Sequence, residues 1–184
     1  HRDLHSFPTR RSSDLQATLH FMKSDFFIQS KEYSKAVDEL SLSVSCFPAN
    51  PTFLFHKAQV LHYQGKSNEA MQDYERLIQM EPNVPRYRYY FGLTCLSLKQ
   101  YEKAALQFKQ AFDLNPHLYL ARYQQAKTAL FQNDKEESLK LLQEAFEKGN
   151  VKELGRMVRE EKSWKALSED PRFIKIISAE ASPF

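Results

Sequence analysis

Glycine is scarce in this chain, and the four present, Gly65, Gly92, Gly149 and Gly155, are scattered. A loop that cradles phosphate through backbone N–H groups needs clustered glycines, so no nucleotide-binding loop is expected. Cysteine is scarcer still: Cys46 and Cys95 stand far apart, without metal-ligand spacing, and read as two reduced, packed thiols. No apolar run extends beyond a few residues before a charge breaks it, so no membrane segment is expected. Charge of one sign is missing as well. The 26 basic and 23 acidic side chains leave +3, which argues against a dedicated nucleic-acid surface. His20, His56, His62 and His117 form no HExxH motif, and no two share an i,i+4 face with a carboxylate, so no metal site is predicted. No Ser, Cys or Lys has a base and an orienting group placed by a recognisable motif, so the chain reads as a non-enzyme needing no cofactor.

What the chain does have is aromatics, 14 Phe and 9 Tyr, and a period. Written from Ala17 in blocks of 34, residues 17–50, 51–84, 85–118 and 119–152 align without a gap. The eighth column reads Ser24, Ala58, Gly92, Ala126 and the twentieth Ala36, Ala70, Ala104, Ser138. The twenty-fourth reads Leu40, Tyr74, Phe108, Leu142, the twenty-seventh Ser43, Leu77, Ala111, Ala145, and the thirty-second Pro48, Pro82, Pro116, Asn150. Apolar residues recur at helical spacing in both halves of a block, as in Tyr87, Tyr90, Phe91, Cys95 and then Tyr101, Ala104, Ala105, Phe108. A breaker centred on Lys31, Gly65, Lys99 or Asn133 parts the halves, and Gly65 and Asn133 suit the left-handed residue that ends a helix. Each block is therefore predicted to be an antiparallel helix pair. Its small columns admit a neighbouring helix, its bulky column fills the gap, and stacking buries what one pair cannot.

This pattern resembles the tetratricopeptide repeat, best over residues 87–116, where Gly92, Tyr101, Ala104, Phe108, Ala111 and Pro116 stand in the family's positions. The block at 51–84 is similar through Ala58, Gly65, Ala70, Tyr74 and Pro82; those at 17–50 and 119–152 match less fully. The family's fourth-column Trp is absent, replaced by His20, Leu54, Arg88 and Arg122. The resemblance implies an all-α fold, a right-handed α-solenoid of four antiparallel helix pairs. It further implies that columns 2, 5, 9, 12 and 13 of the first helices line a concave groove. The candidate peptide-binding residues there are Phe21, Asp25, Phe55, Gln59, His62, Tyr63, Arg86, Tyr89, Leu93, Tyr123, Lys127 and Phe131. The fifth column is aromatic in every block (Phe21, Phe55, Tyr89, Tyr123), so the rings are expected either to clamp a peptide or to pack between helices. One branch of the family clamps a partner's C-terminal carboxylate with Lys in column 5 and Asn in column 9. Phe21 and Asp25 occupy those columns here, which argues against that recognition.

The period stops after residue 152. VKELGRMVREEK continues as amphipathic helix, and SEDPRFIKII offers Asp170 as a cap, Pro171 at the first helical position, and Phe173, Ile174 and Ile177 to face inward. Residues 153–184 are thus expected to form capping helices and a tail, with Trp164, the sole tryptophan, as an anchor. At the other end, HRDLHSFPTRRSSDL lacks both a helical stripe and the apolar core of a signal peptide. Reverse-translated, it is similar to one reading frame of a short-read sequencing adapter at all fifteen positions, so residues 1–15 are read as adapter-derived and 16–152 as the repeat domain. The native N-terminus then lies beyond this sequence, and compartment stays open, with the cytoplasm favoured. The expected function is a protein-interaction scaffold binding a peptide or partner helix in its groove. The alternatives are an accessory segment of a larger enzyme or of a secretion or assembly protein, and a self-associating module.

Overall fold

The computed structural model describes residues 10–178, with side chains from Ser12 onward. All regular structure among the described residues is helical. Helices α1 (Arg10–Gln29), α2 (Tyr33–Cys46), α3 (Pro51–Tyr63) and α4 (Ser67–Met80) form a compact unit ending at Pro82. A second unit begins at Asn83 and holds α5 (Pro85–Ser97), α6 (Tyr101–Leu114), α7 (Tyr119–Phe131), α8 (Lys135–Lys148) and α9 (Val151–Glu160). It is completed by a short 3-10 helix (Lys162–Leu167) and α10 (Pro171–Ser178). Of the adapter-like stretch, residues 1–9 lie outside the described residues and 10–15 begin α1.

The turns inside the pairs repeat with the period of the sequence. Lys31, Gly65, Lys99 and Asn133 all have positive φ, at 58°, 78°, 57° and 67°. The next residue's N–H reaches back to a helix carbonyl in the same way each time: Glu32 to Phe27, Lys66 to Leu61, Gln100 to Cys95 and Asp134 to Ala129, at 2.8–3.0 Å. The left-handed residue itself donates to Ile28, His62, Leu96 or Leu130 at 3.0 Å. These two bonds satisfy carbonyls that a helix end leaves orphaned, and they turn the chain back on itself. The motif overrides residue preference, since two of its four left-handed positions are lysines. Between pairs, Pro51 and Pro85 start helices at the first position, where the missing N–H costs nothing.

Every member of the small and bulky columns is buried. Ser24, Ala58 and Ala126, the four residues of the twentieth column and the four of the twenty-fourth are fully enclosed, as are Ser43, Leu77, Ala111 and Ala145. The reason for smallness is direct at Gly92, where a Cβ would stand 2.6 Å from the Phe108 ring. In the first pair Ser43 Oγ donates to the Ala17 carbonyl at 2.8 Å, so α2 is fastened to α1 by a buried polar bond as well as by packing.

The segment after α8 covers its apolar side. Trp164, 2% exposed, stacks on Phe173 at 6.0 Å and joins a core with Leu139, Leu142, Phe146, Leu154 and Val158. Asp170 Oδ1 accepts from the Arg172 N–H at 2.8 Å, and Phe173 is buried. The sequence expectation fails at Ile174, which is 48% exposed. The helix start at Pro171 phases Phe173, Ile176 and Ile177 toward the core instead.

Candidate partner-binding face

In the first unit the candidate residues sit on α1 and α3. Phe21 is half-buried, its ring tilted against Phe53 at 5.2 Å and edge-on to His56 at 5.0 Å. Asp25 stands one turn further along α1, also half-buried. Phe55 is buried, with Tyr74 of α4 edge-on at 6.2 Å, so this ring is enclosed within its own pair. Gln59 and His62 are half-buried, and Tyr63, at the end of α3, is 67% exposed. Burial holds the His62 imidazole below its ordinary pKa, favouring the neutral ring.

In the second unit the candidates sit on α5 and α7. Arg86 is exposed, Leu93 half-buried, and Tyr89 half-buried with its ring 6.0 Å from Phe108. Tyr123 is completely buried. Its hydroxyl accepts from Trp164 Nε1 at 3.0 Å and donates to Glu161 Oε2 at 2.7 Å, and its ring lies 5.7 Å from that of Trp164. Desolvation first, and then the bond to Glu161, push the phenol pKa well above its ordinary value, so the group remains a donor. Lys127 pairs with the other Glu161 oxygen and lies 6.0 Å from the centre of the Phe131 ring, which is 43% exposed. The fifth-column ladder is therefore not uniform: Phe21 and Tyr89 are half-buried, while Phe55 and Tyr123 are enclosed. At Tyr123 the cause is Glu161 and Trp164, contributed by the segment beyond the repeats.

Two sets of polar contacts around this face had no forecast from the sequence. The fourth column, lacking the family's Trp, carries latches between the helices of a pair. Arg88 donates to Gln110 at 2.7 Å, and Arg122 meets Glu144 at 3.1 Å with its guanidinium 4.0 Å over Phe112. His20 meets Glu39 at 2.6 Å in the first pair. The signal available was Arg in column 4 opposite a polar residue in column 26. The second set is Glu161, whose role depends on a chain reversal that no period announces. Among the described residues no group of His, Cys, Asp or Glu is arranged to hold a metal, and no helix is long and apolar enough to cross a membrane.

Stacked antiparallel pairs with left-handed turns every 34 residues define a class, the helical-repeat proteins. The family is then specific: the tetratricopeptide repeat matches residues 51–84, and anaphase-promoting complex (cyclosome) subunit 3 matches residues 73–145. The chain is a tetratricopeptide-repeat protein. Among curated proteins it is 28% identical over 116 residues to human tetratricopeptide repeat protein 13, covering 63% of this chain and 13% of that one. It is also 28% identical over 83 residues to the heat-shock protein cognate co-chaperone sgt12 of Aspergillus fumigatus, covering 45% and 24%. The chain thus spans at most about a quarter of these relatives. Among solved structures, MamA aligns over 90% of this chain and 92% of its own with a TM-score of 0.75 at 14% identity. YrrB, described as a tetratricopeptide-repeat protein with an unusual peptide-binding site, aligns over 79% and 75% with a TM-score of 0.69 at 18% identity. The first tetratricopeptide domain of Spaghetti (RPAP3), solved bound to the HSP90 peptide SRMEEVD, aligns over 65% and 95% with a TM-score of 0.62 at 17% identity.

Proposed function

We propose that the chain is a protein-interaction scaffold whose first helices, within each unit, present a face to a peptide or partner helix. In this reading residues 16–152 carry the binding surface and 153–184 cap it. The observation that carries the proposal is the division of labour between columns. The packing columns are enclosed, whereas Tyr63, Tyr89, Leu93, Arg86 and Phe131 keep exposed surface on first helices. Partly exposed aromatics beside polar groups supply large contact area at small entropic cost, and such residues dominate binding energies. Two structural neighbours, one solved bound to an HSP90 peptide and one described as having a peptide-binding site, support the same mode. Aspartate in column 9 of the first block and the pairing of Lys127 with Glu161 favour a partner that does not rely on a clamped terminal carboxylate.

A display library of peptides screened against the chain tests this. Tyr63→Ala and Phe131→Ala remove exposed rings, so helicity by circular dichroism should be unchanged while affinity for a selected peptide drops at least about tenfold for the unit it engages. Selected peptides that bind both variants with unchanged affinity would refute the assignment.

A further inference from the structure

The fourth repeat already holds a carboxylate on its inner face. Tyr123 and Lys127 stand in columns 5 and 9 of the last block, two of the columns read above as groove. The Tyr123 hydroxyl donates to Glu161 Oε2 at 2.7 Å, and Lys127 Nζ pairs with Glu161 Oε1, so both oxygens of one carboxylate are bound. The acid comes from outside the period, on the residue that follows α9. The helices it faces have none to offer. α7 carries Arg122 and Lys127 with no Asp or Glu, and Arg122 is committed to Glu144. α5, which touches α7, carries Arg86 and Arg88 and again no acid. The cap is anchored elsewhere: Leu154, Trp164 and Phe173 are buried in the core, whereas the Glu161 side chain is 32% exposed. Its carboxylate can therefore swing to water while the cap stays docked. What remains is a phenol O–H and an ammonium that had converged on one anion, and a second carboxylate satisfies that pair of donors best.

We infer that Glu161 is an autoinhibitory contact: it occupies a carboxylate site formed by Tyr123 and Lys127 and keeps the fourth repeat closed to an acidic side chain of a partner peptide. The inference rests on the scaffold reading above and names the chemistry of the fourth repeat's share of the face, an aspartate or glutamate side chain in place of Glu161. A carboxylate tethered within the same chain competes at an effective concentration of about millimolar or above, so a single acid on a partner does not displace it. Neutralising or withdrawing Glu161 is what opens the site.

Glu161→Gln tests this in the intact chain. The amide oxygen still accepts from Tyr123, so helicity should be unchanged, while Lys127 loses its counter-charge. A peptide-display library run in parallel on the native and Glu161→Gln chains should yield, from the variant, peptides richer in Asp and Glu. Synthesised with an amidated C-terminus, these should bind the variant at least about tenfold more tightly than the native chain. They should also alter Trp164 fluorescence, because its indole N–H bonds the same phenol. Glu161→Ser should reproduce the gain, and adding Lys127→Gln to the Glu161→Gln chain should erase it. Glu160→Gln, an equal change of charge at the exposed neighbouring residue, should give none. Equal gains from Glu160→Gln and Glu161→Gln would reduce the effect to net charge and overturn the inference. So would a variant that selects the native chain's peptides at the native affinity, and in both cases the scaffold reading stands. If neither chain selects any peptide, the scaffold reading fails and takes this inference with it.

Discussion

Replacing Tyr123 by Phe removes one oxygen from the second unit and should cost about 2 kcal/mol. That oxygen accepts the indole N–H of Trp164 at 3.0 Å and donates to Glu161 at 2.7 Å. Trp164 is 2% exposed, so its N–H has no water to turn to, and an unpaired buried donor costs about 1–3 kcal/mol. The bond to Glu161 is charge-assisted, yet that carboxylate is partly exposed and keeps Lys127, which reduces its share to about 0.5 kcal/mol. The ring itself stays, so no large cavity contributes. Because Trp164 is the sole tryptophan, its fluorescence reports on the site, and urea titration should show a lower midpoint at unchanged slope. A double-mutant cycle with Trp164→Phe, followed by circular dichroism, should return a coupling of at least about 1 kcal/mol, since each change alone breaks the same bond. A loss below about 0.5 kcal/mol for Tyr123→Phe, or strict additivity in the cycle, would mean that the hydroxyl does not join the cap to α7.

Three further substitutions probe the turns of both units and the charge state of the first. Lys99→Gly relieves a left-handed lysine, worth about 1 kcal/mol or more, and returns part of that to the unfolded chain's entropy, for a net gain of about 0.5 kcal/mol in urea. Gly65→Ala meets no atom within 4 Å and should lose about 1 kcal/mol from backbone conformation alone; a gain there would overturn the turn assignment. His62 has its pKa lowered from 6.5 by burial, so between the folded and unfolded values the unfolded chain binds more protons. Its contribution is therefore full above pH 6.5 and lost on acidification through the folded value. His62→Gln should flatten that part of the urea midpoint against pH, and an unaltered profile would contradict the burial.

The legible part of this protein is the part that repeats. A column that must stay small because a neighbour's ring lies 2.6 Å from where a Cβ would be, as at Gly92 against Phe108, leaves its mark four times in a row and survives the loss of any one signature residue. The breaker positions were equally plain, although nothing in Lys31 or Lys99 announces a left-handed conformation. There the bonds from Glu32 to Phe27 and from Gln100 to Cys95 set the geometry, and the side chain follows. The exposure of the aromatic column is a different kind of quantity. Phe21, Phe55, Tyr89 and Tyr123 share a column and a chemistry, so their period predicts the same fate for all four. What decides between a half-buried ring and an enclosed one is whatever lies across from it: Tyr74 for Phe55, and Glu161 with Trp164 for Tyr123.

Those covering groups differ in how far sequence can foretell them. Tyr74 belongs to the repeat and could be placed by column, whereas Glu161 arrives from a segment with no period, on a turn between α9 and the 3-10 helix. The same logic bears on where binding surface remains. Repetition supplies an inner face to every pair, but the last pair gives its own up to the cap, because Glu161 satisfies both Tyr123 and Lys127. A partner seeking the fourth repeat is left with Phe131 and the outer edge of Lys127, while on α5 Tyr89, Leu93 and Arg86 keep surface of their own. If the scaffold reading holds, affinity for a selected peptide in the second unit should depend on Tyr89 more than on Tyr123, although both stand in the same column. Tyr89→Phe and Tyr123→Phe separate the two: the first should change peptide affinity at near-native stability, and the second should lower stability while leaving affinity per folded molecule unchanged.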